Sequence, residues 1–587
     1  MDLNDSLSQL ENAQLVRRLT DSDLAYIFKH TLTQESVYVS MLKARRAEIH
    51  RQVAEAMESQ GVDGVEQNAA MLALHFERAG VDDKAFTYAA LAGDVASRAY
   101  AHQEALDFYA RAIAIARRVR KPEWNARVRA VYSQRGRVLE ISGDHLAAME
   151  NYRAMMALAR EMGDITMEAD GLVHLLTTEG IVANSSDPAQ LERALELARQ
   201  SGDSELVGRA LWNIGLSMRF RDPRRSAGYF RQTLEHARAS GLRELAAYAL
   251  LDLAGALQGA GEWRRTNEYS QEALEEFRAL DNKPMIANSL GMLAEGYYAR
   301  GKAEPARAAA EEGARIGYAI ENPWGIGYNE WVLLQLDVDA GEFDRMLANA
   351  GHVIEITQKL GISLFVGLTH MVMGRAYVEL GQLEHARSMV QAALQELATF
   401  EIPFWFNVIN GLDARILLLQ GHFEQARAIL TRLWDGTWGE NSNLFELATM
   451  GPSLAELMIR DSQMEEGLAF GDSLIERLET EEMFMPTAEM YYERSLIQNA
   501  LGNSKQAELD LQRSLSITQR AQNRLLEIRV HAALEQLYLQ GADRDQARAE
   551  NQHARALIQT IIGNISDLAL RKSFLERQDV IQILNSK

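Results

Sequence analysis

One segment of the chain has the spacing of a loop that binds nucleotide phosphates. It runs from Gly296 through Gly301 and Lys302 to Ala303. In such a loop the residue after the lysine is a Ser or Thr whose hydroxyl contacts Mg²⁺, and a strand precedes the loop. Ala303 has no side-chain oxygen, and Gly301 belongs to a series of evenly spaced glycines. The segment is therefore predicted to be a turn between two helices, and no cofactor is expected.

The thirteen histidines are the next candidates for chemistry, as metal ligands or as general bases. Two ligands on one face of a helix must be three or four residues apart, and no two histidines have that spacing. The motifs His-Glu-x-x-His and Gly-x-Ser-x-Gly are also absent. No catalytic or metal-ligating residue is predicted, and the chain is expected not to be an enzyme, although a site built across several helices stays open as an alternative.

Composition limits the partners and the compartment. The 587-residue chain has no cysteine, which excludes disulfides and thiolate chemistry and fits the cytoplasm, our expected location. The formal net charge of −21 disfavours direct binding to nucleic acid, whose phosphates it would repel. No apolar run approaches the roughly 20 residues of a membrane-spanning helix, and no membrane contact is expected.

A period of forty residues organises most of the chain. Gly261, Gly301, Gly341, Gly381 and Gly421 are each forty residues apart, and the series continues with a slip of one residue to Asp461, Gly502 and Gly541. In many units a small residue follows the glycine five places later, and a proline precedes it by sixteen to eighteen. Proline favours the first turn of a helix, and glycine favours the left-handed conformation that ends one. Each unit is therefore predicted to be a helical hairpin.

A single hairpin cannot bury its apolar side, so neighbouring hairpins must stack into a superhelix. From about residue 64 to about residue 556 the period gives roughly twelve hairpins. The predicted fold is all-α: an α-solenoid of about twelve hairpins of about 40 residues each, whose first helices line a concave face.

The repeat resembles the tetratricopeptide repeat in its order of a small residue, an aromatic residue, the turn glycine and an alanine. One unit shows this order as Gly374, Tyr377, Gly381 and Ala386. The usual repeat has thirty-four residues, whereas a period near forty resembles the variant of bacterial signal-transduction NTPases of the STAND class, such as maltose-regulon-activator-like regulators and cyclase-associated proteins.

The first sixty residues carry a second resemblance. The segment Tyr26–Leu32, with Tyr38, Arg45 and His50 after it, resembles the end of the winged-helix module that follows the ATPase core in STAND proteins. The resemblance implies three segments: a winged-helix-like remnant over 1–62, the repeat superhelix over 63–553 and capping helices over 554–587. It also implies an ATPase core upstream if the chain is a fragment.

The resemblance also implies where a ligand binds. In tetratricopeptide repeats fixed positions of the first helix of each hairpin face the ligand, and counting back from the turn glycine transfers them to this chain. The predicted ligand-binding residues are Tyr248, Asp252, Asn288, Glu295, Tyr298, Tyr328, Trp331, Gln335, Arg375 and Arg415.

These inferences lead to a functional hypothesis. The resemblance implies the non-catalytic sensor region of a STAND-type regulator, which binds a protein partner or a small-molecule effector in the concave groove. The alternative is a freestanding protein–protein interaction scaffold that has no ATPase partner.

Overall fold

The computed structural model describes residues 3–18, 26–59, 62–183, 187–359, 363–398, 403–437 and 443–586. Within these ranges the chain is almost entirely helical. It divides into two compact units, of which unit 1 comprises Met1–Val182 and Glu192–Leu206, and unit 2 comprises Ala183–Leu191 and Val207–Lys587. No helix in the described ranges combines the length and the apolar character needed to cross a bilayer.

The first described elements are helix α1, Leu3–Asn12, and a small antiparallel sheet. The strands are β1, Val16–Arg18, and β2, Tyr26–Phe28, with Val16 opposite Phe28. Elsewhere in the described ranges the regular elements are helices. Those assigned wholly or mainly to unit 1 are α2 (Thr31–Ser40), α3 (Lys43–Glu58), α4 (Val62–Gln67), α5 (Ala69–Ala79), α6 (Asp82–Arg98), α7 (His102–Val119), a 3₁₀ turn (Pro122–Trp124), α8 (Asn125–Ile141), α9 (His145–Met162), α10 (Ile165–Ala183) and α11 (Pro188–Ser201).

Unit 2 continues the same alternation of helices, most of them 15 to 18 residues long. They are α12 (Ser204–Met218), α13 (Pro223–Ala239), α14 (Arg243–Gly259), α15 (Thr266–Ala279), α16 (Lys283–Ala299), α17 (Ala303–Ala319), α18 (Pro323–Asp339), α19 (Phe343–Lys359), α20 (Ser363–Glu379), α21 (Leu383–Leu397), α22 (Pro403–Leu419), α23 (Phe423–Thr437), α24 (Leu444–Arg460), α25 (Met464–Thr480), α26 (Phe484–Ala500), α27 (Ser504–Ala521), α28 (Arg524–Gln540), α29 (Arg544–Gly563), α30 (Leu568–Leu575) and α31 (Gln578–Asn585).

Consecutive helices pair as hairpins, α6 with α7 and α8 with α9 in unit 1 and α14 with α15 through α28 with α29 in unit 2, which confirms the predicted helical-repeat fold. We call the first helix of each hairpin, with an even number, the A helix and the second the B helix. The small residues that follow the turn glycines by five places are buried, as Ala306, Ala386 and Ala426 show with no exposed surface. Neighbouring hairpins share continuous apolar cores, one of which runs through α16–α22, includes Trp331 and Phe343, and extends to residues of α28–α31.

The evenly spaced glycines adopt the predicted left-handed conformation. Their φ angles lie between 63° and 82° at Gly261, Gly301, Gly341, Gly381 and Gly421. Two later units differ from the sequence prediction, because the left-handed residues are Ser462 and Ala542 and not Asp461 and Gly541. Ser462 and Ala542 thus adopt a left-handed backbone conformation, which is unfavourable for a residue that has a Cβ atom.

Successive superhelical turns of unit 2 contact one another every five hairpins. The end of α14 meets the start of α24, five hairpins later, where Asn443 Nδ2 donates to Gly259 O at 2.7 Å. Arg524 Nη1 of α28 donates to Ala340 O, after α18, at 2.9 Å. The turn glycines take part in this contact, since a Cβ atom on Gly341 would lie 2.6 Å from Ile561 Cγ1. Glycine is therefore required at 341 for its conformation and also for close approach.

Candidate functional site

The ten predicted ligand-binding residues lie on the A helices α14, α16, α18, α20 and α22 of unit 2. Eight are partly exposed, whereas Trp331 and Gln335 are buried. We call the side of the A helices that carries these ten residues the inner face. The structure connects six of them through direct contacts or one helix stripe, and it places the other four with different partners.

The centre of the inner face is one stripe of α18. Trp331, Gln335 and Asp339 follow one another at intervals of four residues and therefore lie on one side of the helix. Their exposed fractions are 1%, 5% and 1%. Within the described part of the chain, Trp331 Nε1, Gln335 Nε2 and Asp339 Oδ2 have no hydrogen-bond partner. Buried polar atoms are almost always paired, so three unpaired atoms on one stripe call for partners beyond the residues that the structure describes.

Arg375 of α20 extends this stripe. Its Nη2 donates to Asp339 Oδ1, and its Nη1 donates to Tyr298 Oη of α16 at 3.1 Å. Burial alone would lower the pKa of Arg375, but the charge of Asp339 raises it, so the guanidinium stays charged. The Arg375 side chain is 33% exposed, whereas the Asp339 side chain is 2% exposed. The guanidinium is therefore fixed in direction and still accessible.

Glu295 and Tyr328 form the other edge of the same cluster. Tyr328 Oη donates to Glu295 Oε2 at 2.5 Å, and the Tyr328 ring lies 6.1 Å from that of Trp331. Burial raises the pKa of Glu295 to about 7, against which the hydrogen bond from Tyr328 acts. Glu295 is thus a carboxyl group that can change its charge near neutral pH.

The remaining predicted residues are held separately. Asp252 Oδ2 accepts from Trp212 Nε1 at 2.7 Å, and Tyr248 stacks at an angle on the same indole. Asn288 lies on α16, where its Oδ1 is buried without a partner in the described ranges. Arg415 donates to Glu456 of the next A helix, α24.

A cluster of largely buried charges, which the sequence did not predict, connects the end of α20 to α28 and to the segment between α30 and α31. Arg577 Nη1 donates to Glu379 Oε2 at 2.9 Å, and Arg529 lies 3.9 Å from Glu379. Burial would raise the pKa of Glu379, but the two guanidinium groups lower it to about 2. These residues are up to 198 positions apart, so no local spacing reveals their contact.

Beside this cluster lies a cavity of about 240 Å³ between α26, α27, α28 and α31. Tyr492, Arg529, Gln536, Asp579 and Gln582 are among its lining residues. Its walls combine apolar side chains with amides, one guanidinium group (Arg529) and two carboxyl groups (Glu535 and Asp579), which suits a small polar ligand.

One group outside the inner face could hold a metal ion. One ligand atom from each of His531, Glu550 and His553 lies within 4.8 Å of the other two. Burial would lower the pKa of His531, but Glu527 and Glu550 raise it to about 9. The spacing of the histidines along the sequence did not reveal this group, because its residues come from two helices, α28 and α29.

The segment with phosphate-loop spacing is the hairpin turn between α16 and α17. Gly301 has a φ of 63° and Lys302 precedes the first residue of α17. A helix, not a strand, comes before it. The prediction of a turn between helices is confirmed.

The fold and the inner face together define a class: an α-solenoid of tetratricopeptide-like helical hairpins. No protein-family model matches the chain, and no curated protein matches it either. Among solved structures, a Rap protein complexed with the competence and sporulation factor matches at 12% identity and a TM-score of 0.45, over 60% of this chain and 98% of that one.

Two further solved structures are similar. The APC/C hetero-tetramer Cut9–Hcn1 matches at 13% identity and a TM-score of 0.46, over 93% of this chain and 99% of that one. The apo form of the quorum sensor NprR from B. thuringiensis matches at 14% identity and a TM-score of 0.34, over 66% of this chain and 97% of that one. At these scores none of the three indicates what this chain binds.

Proposed function

We propose that the chain is a non-catalytic sensor or scaffold that binds a ligand on the inner face of unit 2. The observation that carries this proposal is the stripe of α18, where Trp331, Gln335 and Asp339 each keep a buried polar atom unpaired within the described ranges. Leaving such an atom unpaired costs about 1–3 kcal/mol. A ligand that pairs all three recovers this free energy on binding.

The unpaired atoms specify the chemistry of the ligand. Trp331 Nε1 and Gln335 Nε2 are donors, so they require acceptors on the ligand, whereas Asp339 Oδ2 is an acceptor and requires a donor. Amide groups offer both in one unit, which favours a peptide segment or an amide-containing effector. Arg375 and Tyr328 flank the stripe and add a guanidinium group, which can donate two parallel hydrogen bonds, and an aromatic ring. Binding surfaces are enriched in both residue types.

Binding at this stripe is coupled to the superhelix. The three side chains are buried, so we expect a ligand to reach them only if the packing of the surrounding helices opens, which would disturb the contacts between superhelical turns five hairpins apart. Ligand binding would then alter the spacing of the superhelical turns. Small-angle scattering measures this change, and an unaltered scattering profile at saturating ligand would contradict the coupling.

The test uses accessible residues of the inner face. The double variant Arg375→Gln with Arg415→Gln removes two guanidinium groups that are 33% and 25% exposed. Its control is Arg278→Gln, which breaks an exposed ion pair between the B helices α15 and α17. Pull-down with mass spectrometry should recover a partner with the parent chain and the control but not with the double variant. Equal recovery by all three would place the binding surface elsewhere.

We further propose that this binding region serves a STAND-type regulator in the cytoplasm. In this view residues 1–62 are the remnant of a winged-helix module, 63–553 are the sensor and 554–587 are its cap. The support is the forty-residue period and the segment Tyr26–Leu32. Gene context tests it, because an in-frame phosphate-binding-loop region upstream supports the sensor, and its absence supports the freestanding scaffold.

A further inference from the structure

Two helices of the last hairpin bring histidine and glutamate side chains together. His531 lies on α28, whereas Glu550 and His553 lie three residues apart on one side of α29. His531 Nδ1 is 2.5 Å from Glu550 Oε2, and the rings of His531 and His553 are 5.1 Å apart. The three residues thus converge on one point between the two helices.

The fourth member of the group is Glu527, one helical turn before His531 on α28. Its Oε1 lies 3.7 Å from Nε2 of His531, the ring nitrogen that faces away from Glu550. A carboxylate in this position fixes the imidazole when the other ring nitrogen binds a metal ion, as occurs in carboxylate–histidine–metal arrangements. Glu527 is therefore placed to orient His531 and to increase its basicity.

We propose that His531 Nδ1, Glu550 and His553 bind a divalent transition-metal ion, with Zn²⁺ as the best fit. Two imidazoles and one carboxylate, together with a solvent molecule, are a ligand set that zinc accepts in tetrahedral geometry. His531 is 5% exposed, whereas His553 is exposed, so one side of the site is open for the ion and its solvent ligand. The ligand atoms lie within 4.8 Å of one another, and side-chain rotation brings them to the roughly 2 Å bond lengths of zinc.

The position of the site gives the ion a structural role. It joins α28 to α29, and α28 also supplies Arg529 and Gln536 to the wall of the cavity of about 240 Å³. An ion at this point would hold the wall of that cavity and the last hairpin of the superhelix in one conformation. Metal binding would then increase the free energy of unfolding of the chain.

The test uses the full chain without a histidine tag, dialysed against chelator and then titrated with Zn²⁺ by calorimetry or with Co²⁺ by visible absorption. We expect one ion per chain and a ligand-field band of Co²⁺ typical of tetrahedral coordination. His553→Ala should abolish both signals, because it removes a ligand from an exposed position and leaves the buried residues in place. Glu527→Gln should weaken binding by about 10- to 100-fold, as losing the partner of a ligating histidine does.

The matched control is His385→Ala, which removes an exposed histidine of α21 outside the group. It should bind metal as the parent does. Circular dichroism confirms that each variant is folded, and Glu550→Gln replaces His553→Ala if the latter loses helicity. The proposal is wrong if the parent gives no stoichiometric Co²⁺ band, or if the His553→Ala titration superimposes on that of the parent.

Discussion

Replacing Gln335 by Met should stabilise the protein while it removes ligand binding. The amide of Gln335 is 5% exposed, and its Nε2 has no partner within the described part of the chain. Methionine has the same unbranched length and no polar donor, so the shape of the core is nearly kept. Removing one buried unpaired amide should raise the free energy of unfolding by about 1–3 kcal/mol.

The assay must resolve local stability, because a repeat array need not unfold in one step. Hydrogen exchange measured by mass spectrometry should show slower exchange of the α18 amides in Gln335→Met. Urea unfolding followed by circular dichroism should shift to a higher midpoint. The same variant should fail to capture a partner that the parent chain recovers.

The control for this prediction is Gln271→Met. Gln271 Nε2 donates to Glu275 Oε1 at 2.9 Å in an exposed position of α15, so its loss should change stability by less than about 0.5 kcal/mol. If Gln335→Met instead destabilised α18, the amide would already be satisfied in the free protein. That result would refute the inference that the unpaired polar atoms of this stripe bind a ligand.

Two further perturbations test the packing and the titration of the inner face. Gly341→Ala should destabilise the chain by about 1–3 kcal/mol more than Gly421→Ala in urea unfolding, since the new Cβ would lie 2.6 Å from Ile561 Cγ1 and Gly421 has only its own neighbour Phe423, at 4.0 Å. Equal losses would contradict the contact between superhelical turns. Burial raises the pKa of Glu295 to about 7, so stability should fall as pH rises from about 4.5 through 7. Glu295→Gln should reduce this slope but not remove it, because burial also raises the pKa of Glu446 and of Glu493 to about 7; an unchanged slope would contradict the contribution of Glu295.

The sequence predicted the hairpins because their boundaries depend on local chemistry. A left-handed residue lies in the turn of most described hairpins, and Gly261 to Gly421 mark that position without a side chain that could move the boundary. Where the marker was polar or ambiguous, at Asp461 and Gly541, the prediction was off by one residue. The left-handed residues there are Ser462 and Ala542, so residue type alone does not determine the position.

The candidate site was predictable only in part. Counting along the A helix placed Trp331 and Gln335 on the inner face, yet no local pattern could show that both would be buried. Their environment depends on α20 and on later superhelical turns. The candidate metal site forms only where α28 packs against α29, which brings His531 close to Glu550 and His553. The spacing of histidines along the sequence does not reveal this contact.

The contact between superhelical turns changes how this array should lose its structure. In an array coupled only through adjacent repeats, melting begins at one end and advances one hairpin at a time. Here Arg577 holds Glu379, 198 positions earlier, and Asn443 holds the end of α14. Deleting one hairpin between them would put every later residue opposite the wrong partner. The length of the array is therefore fixed by long-range registry, and its smallest cooperative block is about five hairpins.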